Sequence, residues 1–399
     1  MAGVGCAAGQ GASGPPRPKP WNDPRFRAVL YQALLIVAVL AVAAYLVDNT
    51  LDNLQRRNIR TGFGFLQQES GFYISESLIP SDAADSYGRA FVVGLLNTLK
   101  ASAIGIVLAT AIGLVIGLAR LSANWLVARL ASVYVEAVRN VPLLLQLFFW
   151  YTVITTLLPA AQQALKPLPG VFLSKSGLQF AVPAPDPING YVAVALLVGV
   201  LAAYAYDRWA RRRQEQAGRA PPRLWPCAAL IVGLPLVVWL IGGAPVVFDV
   251  PRLETFRYVG GVAVTPEFLA LLLGLSIYTA GFIAEVVRSG ILAVPWGQTE
   301  AARALGLRRG LVTRLVVLPQ ALRVIVPPLT GQYLNLVKNS TLAVAIGYPD
   351  LVSVSTTTLN QTGQAIECVT VIMAVYLAIS LAIAAFMNWY NKRVALVER

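Results

Sequence analysis

Histidine is absent from this sequence, and cysteine occurs only at Cys6, Cys227 and Cys368. The three cysteines are far apart and form no Cys-x-x-Cys pair. Zinc sites, a disulfide framework and Cys–His catalysis therefore lack their parts, and the commonest general base is missing as well. Neither a G-x-x-x-x-G-K-[ST] phosphate loop nor a G-x-S-x-G nucleophile turn occurs, which leaves no candidates for nucleotide hydrolysis or serine catalysis. Charge is scarce too. Asp, Glu, Lys and Arg make up 13% of the 399 residues and 57% are hydrophobic, whereas a soluble domain is about a quarter charged.

What is present is a series of long apolar runs. A helix rises about 1.5 Å per residue, so crossing about 30 Å of hydrocarbon takes about 20 apolar residues. Eight runs qualify as expected spans: Ala28–Val47, Phe91–Ala119, Leu143–Leu158, Tyr191–Tyr206, Pro226–Gly243, Pro266–Val287, Val324–Ile346 and Ile366–Trp389. The third has a largely apolar forerunner in Trp125–Val141, and the seventh is the most polar, with Pro327, Pro328, Gln332, Asn335 and Lys338. The first reads as a signal anchor, since its apolar run fills a whole bilayer. Residues 1–20, rich in Gly and Pro, read as a disordered tail.

The net charge of +13 is gathered in short basic clusters between the runs. That arrangement suits loops facing anionic lipid and does not suit nucleic acid. The clusters are Arg17–Arg27, Arg208–Arg223, Arg303–Arg314 and Lys392–Arg399, in alternate links, while the segment from Asp48 to Asp85 is net acidic. An even span count with this alternation places both termini in the cytoplasm. The expected divisions are a tail (1–27), a first accessory span (28–47), an outer segment (48–88), the first part of a core (89–158), an insertion with two accessory spans (159–265), the second part of the core (266–392) and a short tail (393–399).

Three patterns carry functional information. The first is the basic link Pro295–Pro319, PWGQTEAARALGLRRGLVTRLVVLP. Thr299 is suited to cap a first helix, with Glu300 favoured by the helix dipole, and Gly306 is suited to a left-handed stop. Leu307, Leu311 and Leu315 then recur four apart, with arginines on the wet remainder. Two such short helices are not stable alone in water. Periodicity leaves two readings open: a docking element for a partner, or an amphipathic segment on the lipid surface. The second pattern is Ala101, Gly105, Ala109, Gly113 and Gly117, small residues every four along the second span, a face for close helix packing. The third is the set of polar residues in the core spans: Glu136, Arg139, Glu285, Arg288, Asn335, Lys338 and Asn339. A charge at mid-bilayer costs about 2.5–3.5 kcal/mol, so these residues should face protein or water. Glu136/Arg139 and Glu285/Arg288 are each three apart, a spacing at which they can meet. Asn335, Lys338 and Asn339, with Glu285 and Glu136, are the pathway candidates.

The basic link resembles the EAA loop of ABC importer permeases in Glu300-Ala301-Ala302, Gly306, Val316, Leu318 and Pro319, with Val316 standing where that family often has Ile. The stretches Gly94–Trp125, Tyr134–Tyr151 and Tyr278–Ala302 resemble polar amino-acid permeases. The extra first span, the insertion and the length resemble the longer permease of general L-amino-acid transporters. The resemblance implies an all-α integral membrane protein, with a five-span type I importer core and about three accessory spans. It implies a non-catalytic subunit in a bacterial inner membrane, whose Glu300, Ala301, Ala302, Gly306, Leu307 and Leu311 dock an ATPase. The implied partners are two ATPase subunits, a second and different permease, and a periplasmic solute-binding protein that delivers an amino acid. ATP and Mg would be used by the ATPase, with no cofactor on this chain. An ion-coupled carrier or channel is the alternative that spans alone allow.

Overall fold

Among the described residues seven helices are long and apolar enough to cross a bilayer, and one bent pair makes an eighth when counted as a single span. The structure is a computed structural model, and it describes residues 24–56, 61–184, 186–217, 221–244, 248–255 and 257–394. The expected tail through residue 23, with Cys6, and the last five residues of the chain lie outside these.

In chain order, α1 (Pro24–Arg56) is followed by α2 (Tyr87–Ala119), capped by Ser86, whose hydroxyl accepts from the Arg89 N–H. The bent pair is α3 (Trp125–Asn140) and α4 (Leu143–Thr152), turned by 103°. The span expected at Leu143–Leu158 thus corresponds to the second arm of this pair, with its apolar forerunner forming the first arm. Pro142 has no N–H to donate back to α3, and Gln146 Nε2 instead takes the Val138 and Val141 carbonyls at 2.9 and 3.0 Å. The inserted pair is α5 (Pro187–Ala217) with α6 (Leu224–Ala228) and α7 (Leu234–Ile241), the last two joined through a π-helical turn.

The chain is mostly helical, as expected, and a set of short strands is added that hydropathy did not reveal. β1 (Leu165–Leu168), β2 (Val171–Ser174), β3 (Gly177–Phe180) and β8 (Val262–Val264) form one antiparallel sheet. β4 (Val182–Pro183) pairs with β5 (Phe248–Asp249), and β6 (Arg252–Glu254) with β7 (Arg257–Val259). These strands lie between spans, where valine, phenylalanine and leucine alternate with turn residues over lengths too short for a helix to nucleate.

β8 leads through Thr265, whose hydroxyl accepts from the Phe268 N–H, into the central helix α8 (Pro266–Leu292). Then come α9 (Trp296–Ala304), α10 (Arg309–Val312) and α11 (Leu318–Asn339), with a π-helical turn at Thr313–Val317 making α10 and α11 one span. The seventh span thus begins at Arg309, well before the expected Val324. α11 runs through both Pro327 and Pro328. Without those two N–H groups, the carbonyls of Arg323 and Val324 lose their usual helical donors. After a 3-10 turn at Ser340–Ile346, α12 (Leu351–Thr362) is a short capped helix and α13 (Ala365–Val394) is the last span.

The core sits on α8. Phe268, Leu271, Leu275 and Ile283 are fully or almost fully buried there, against Leu147 of α4, Leu336 of α11 and Tyr348. Ala101, Gly105, Ala109, Gly113 and Gly117 of α2 are all buried. A Cβ at Gly113 would lie 2.7 Å from Ile283, and one at Gly117 would lie 2.8 Å from the Ala284 carbonyl oxygen. Only hydrogen in place of a side chain permits α2 and α8 to come this close.

Candidate functional site

Two polar cavities open along one line of α8. The first, of about 300 Å³, is lined by Tyr278, Thr279 and Phe282 of α8 and by Gln332, Asn335 and Asn339 of α11. The intervals of four on α8 and of three and four on α11 keep each set on a single helix face. Among the described residues its lining contains no charged group. The second, of about 430 Å³, is lined by Arg120, Glu136, Arg139, Asn140, Phe282, Glu285 and Arg288, with Val135.

Glu285 organises the second cavity. Its carboxylate is paired with Arg120 at the end of α2 and with Arg288 one turn along α8, at 2.6 Å to Arg288 Nη2. The pairing ties α2 to α8 at the end opposite the strands. The other expected pair does not form. Arg139 lies instead over the Phe282 ring, 5.0 Å from its centroid, and Glu136 has no hydrogen bond or ion pair among the described residues. Lys338 is exposed and lines neither cavity. Tyr278, Thr279 and Phe282, which the sequence reading did not single out, share the α8 face with Glu285. Stepping back from Glu285 by three and seven residues would have found Phe282 and Tyr278.

The basic link forms α9, α10 and the turn into α11. Its first helix starts at Trp296, directly after Pro295, and not at Thr299 as expected. Pro295 already holds a φ of −58°, which sets the entry to the helix one turn earlier. Glu300 is consequently mid-helix, where its Oε1 accepts from Trp296 Nε1 at 2.7 Å, and Arg303 stacks on the same indole at 5.4 Å. Gly306 closes the helix at φ +75°, a conformation that disfavours other residues. Ala302 is buried and Leu307 half-buried, while Ala301 and Glu300 are exposed. Large apolar groups stay in the open: Trp296 (64%), Leu305 (82%), Leu311 (43%) and Leu315 (60%). Beside them, residues from Ile291 to Val317 line a groove of about 510 Å³.

At the opposite end of α2 and α8 lies a buried polar junction that the sequence reading missed. Glu76 is ion-paired with Lys100 and accepts from the Thr265 hydroxyl at 2.5 Å, and Lys100 sits over the Phe268 ring. Asn97 Nδ2 donates to the carbonyls of Glu76 and Pro349. Thr98 accepts from the Leu351 N–H, and Tyr348 donates to the Asn97 carbonyl. Asp350 caps α12 through Ser353, but its Oδ2 has no hydrogen-bond partner among the described residues. Burial pushes its carboxyl up to about 7, against the pull of backbone N–H groups. The junction fastens the segment before α2 to both central helices. No three His, Cys, Asp or Glu side chains gather as a metal would require among the described residues.

Residues 105–396 match the model of a family described as the inner membrane component of binding-protein-dependent transport systems. The general L-amino acid transport system permease protein AapQ of Rhizobium johnstonii is 50% identical over 377 residues, covering 94% of each chain. The putative amino-acid ABC transporter permease protein YhdX of Escherichia coli is 50% identical over 381 residues, covering 94% of this chain and 96% of that one. The glutamate/glutamine/aspartate/asparagine transport system permease protein BztB of Rhodobacter capsulatus is 41% identical over 409 aligned positions, again 94% and 96%.

Proposed function

This chain belongs to the family of binding-protein-dependent transport system inner membrane components, and from that premise we propose that it is the permease subunit of an ATP-driven importer of amino acids, general for L-amino acids. Membership removes the ion-coupled carrier or channel. The similarity to AapQ over nearly the whole of both chains supports the broad specificity.

One observation carries the mechanism: the two polar cavities lie on a common face of an apolar bundle. On that face Glu136 and Arg139 are exposed, as is Asn335 within α11. Facing lipid, each charge would cost about 2.5–3.5 kcal/mol. A second permease covers this face, and the cavities become the pathway between the two. The long insertion favours a sister chain of different sequence over a copy of this one. The uncharged amides and phenol of the first cavity take up the polar parts of a solute, and the charged groups of the second match an ammonium and a carboxylate.

The Arg-rich links face the cytoplasm, and with them both termini. There α9 and the exposed Leu305, Leu311 and Leu315 that follow it fit a cleft on each of two ATPase subunits, which use ATP and Mg. This chain binds no cofactor and catalyses no reaction. A solute-binding protein delivers the amino acid on the side of the strands. ATP binding closes the ATPases, pulls on Glu300–Gly306 and opens the pathway outward, and hydrolysis returns it inward.

Co-purification of the chain with its ATPase and sister permease tests the reading, with ATP hydrolysis measured as binding protein and amino acid are added. Stimulation by both is expected, with Glu300→Lys abolishing association. Firm association of that variant would remove the docking role from α9, and uptake undiminished without the ATPase would refute the whole reading.

A further inference from the structure

Among the described residues Phe282 is the one that lines both cavities. Tyr278, Thr279 and the amides of α11 share the first cavity with it, and three arginines and two carboxylates share the second. The ring is held from two directions. Tyr278, one turn back, packs on it with centroids 5.0 Å apart, and the Arg139 guanidinium lies over it at 5.0 Å. Arg139 comes from the last turn of α3, next to the elbow at Val141–Pro142. That turn is pressed against α8 at Gly281, where an added Cβ would lie 3.4 Å from Val138 and 3.5 Å from the Arg139 stem. The stem of Arg139 thus lies close to α8, while its head is held by a ring face alone, with no ion pair among the described residues.

We infer that Phe282, clasped by Arg139, is the internal partition of the pathway, separating an uncharged waiting chamber from a charged release chamber. This rests on the amino-acid import reading and adds its barrier and the group that releases it. A solute carboxylate offers Arg139 a charge-assisted hydrogen bond, which is stronger than its hold on a partly exposed ring. Exchange of one for the other frees Phe282 to swing aside, so the barrier yields to an α-carboxylate and holds against small uncharged solutes. Glu136, unpaired and one turn before Arg139, is placed to meet the accompanying ammonium.

The test uses the complete complex, with both permeases and ATPases, in liposomes preloaded with a labelled L-amino acid. Uptake with ATP by the unmodified complex is measured first, and its absence would fail the import reading without touching the partition. Given that uptake, Phe282→Ala is expected to raise ATP-independent efflux at least tenfold and to lower the amino acid carried per ATP. Phe282→Trp should restore the seal. Arg139→Gln should leak less than Phe282→Ala and lose discrimination between an amino acid and its uncharged amide-and-alcohol analogue. Phe282→Leu is read in the same way where the alanine variant does not assemble. Efflux at the unmodified level in an assembled Phe282→Ala or Phe282→Leu complex would overturn the proposal, and failure of both variants to assemble would assign the ring to packing and overturn it equally.

Discussion

The central helices and the accessory ones differ in a way that hydropathy does not reveal. The most apolar stretch of α8 has a mean hydropathy of 1.9 and is 61% buried, whereas α1 reaches 2.4 and α6–α7 reaches 2.3 with none of either stretch buried. Within a membrane, being apolar does not draw helices together, because lipid tails are as apolar as leucine. What separates the regions is shape and polar anchoring. α2 presents a seam of small residues to α8, and both are fastened at one end by Glu285 and at the other by the Glu76–Asn97 junction. The accessory hairpin has close approaches of its own, at Gly242, where a Cβ would lie 2.2 Å from the Ile188 side chain, and at Gly199, where one would lie 2.3 Å from the Leu230 carbonyl oxygen. The latter contact joins α5 to the π-helical turn between α6 and α7 and reaches no core helix.

The largest test of this contrast is Gly113→Leu. With Ile283 already 2.7 Å from a bare Cβ, the side chain forces α2 from α8 at a cost beyond the roughly 1–3 kcal/mol of ordinary overpacking. Loss of assembled complex on size-exclusion chromatography and loss of uptake are expected; retained uptake would show that the seam does not hold the core. Gly199→Leu, by contrast, should disturb the hairpin while uptake continues, and abolished uptake would mean that the insertion belongs to the pathway's frame.

Next in size is Glu285→Gln, which leaves Arg120 and Arg288 facing each other without their shared anion. Removing one partner of a buried pair costs about 3–5 kcal/mol, less here because these side chains are partly exposed. A fall in uptake of about tenfold, partly recovered by Glu285→Asp, is expected in vesicle assays.

A smaller effect concerns Asp350, beyond the end of α11. Its folded-state pKa of about 7 lies above the ordinary 3.8. Between those values the folded chain holds a proton that the unfolded chain has released, so stability falls as pH rises through that window. A decline in thermal midpoint of several degrees from pH 5 to pH 7.5 is expected for the unmodified protein in detergent. Asp350→Asn, which still caps α12, should flatten the dependence; an unchanged slope would mean that another group titrates. The smallest effect is Gly233→Ala in the accessory hairpin. No atom of the described residues lies within 4 Å of the added Cβ there, so stability and uptake should match the unmodified chain.

Much of this was legible in advance because it is written locally. Span positions follow from runs of residues, and Glu300 to Gly306 sits within one short window whose glycine stop is a matter of a single φ angle. The elbow between α3 and α4 was only half legible, since Pro142 announces a break but not its angle. The junction at Asn97, Glu76 and Asp350 was not legible at all. Asn97 and Pro349 are 252 positions apart, and no periodicity links a carboxamide in one span to a carbonyl after another. Arg139 shows the opposite failure. Its spacing from Glu136 allowed a pair, but the aromatic face of Phe282, on a different helix, took the guanidinium instead.

The π-helical turn at Thr313–Val317 has a consequence for everything downstream of it. Such a turn holds one residue more than the α-helix around it, and each residue advances an α-helix by about 100°. It therefore sets the clock position at which Gln332, Asn335 and Asn339 emerge relative to α9. Were a single residue deleted there, the docking surface would stay where it is while the amides rotated off the cavity and toward lipid. Five residues thus act as the indexing gear between the part of the chain that is pulled and the part that must open.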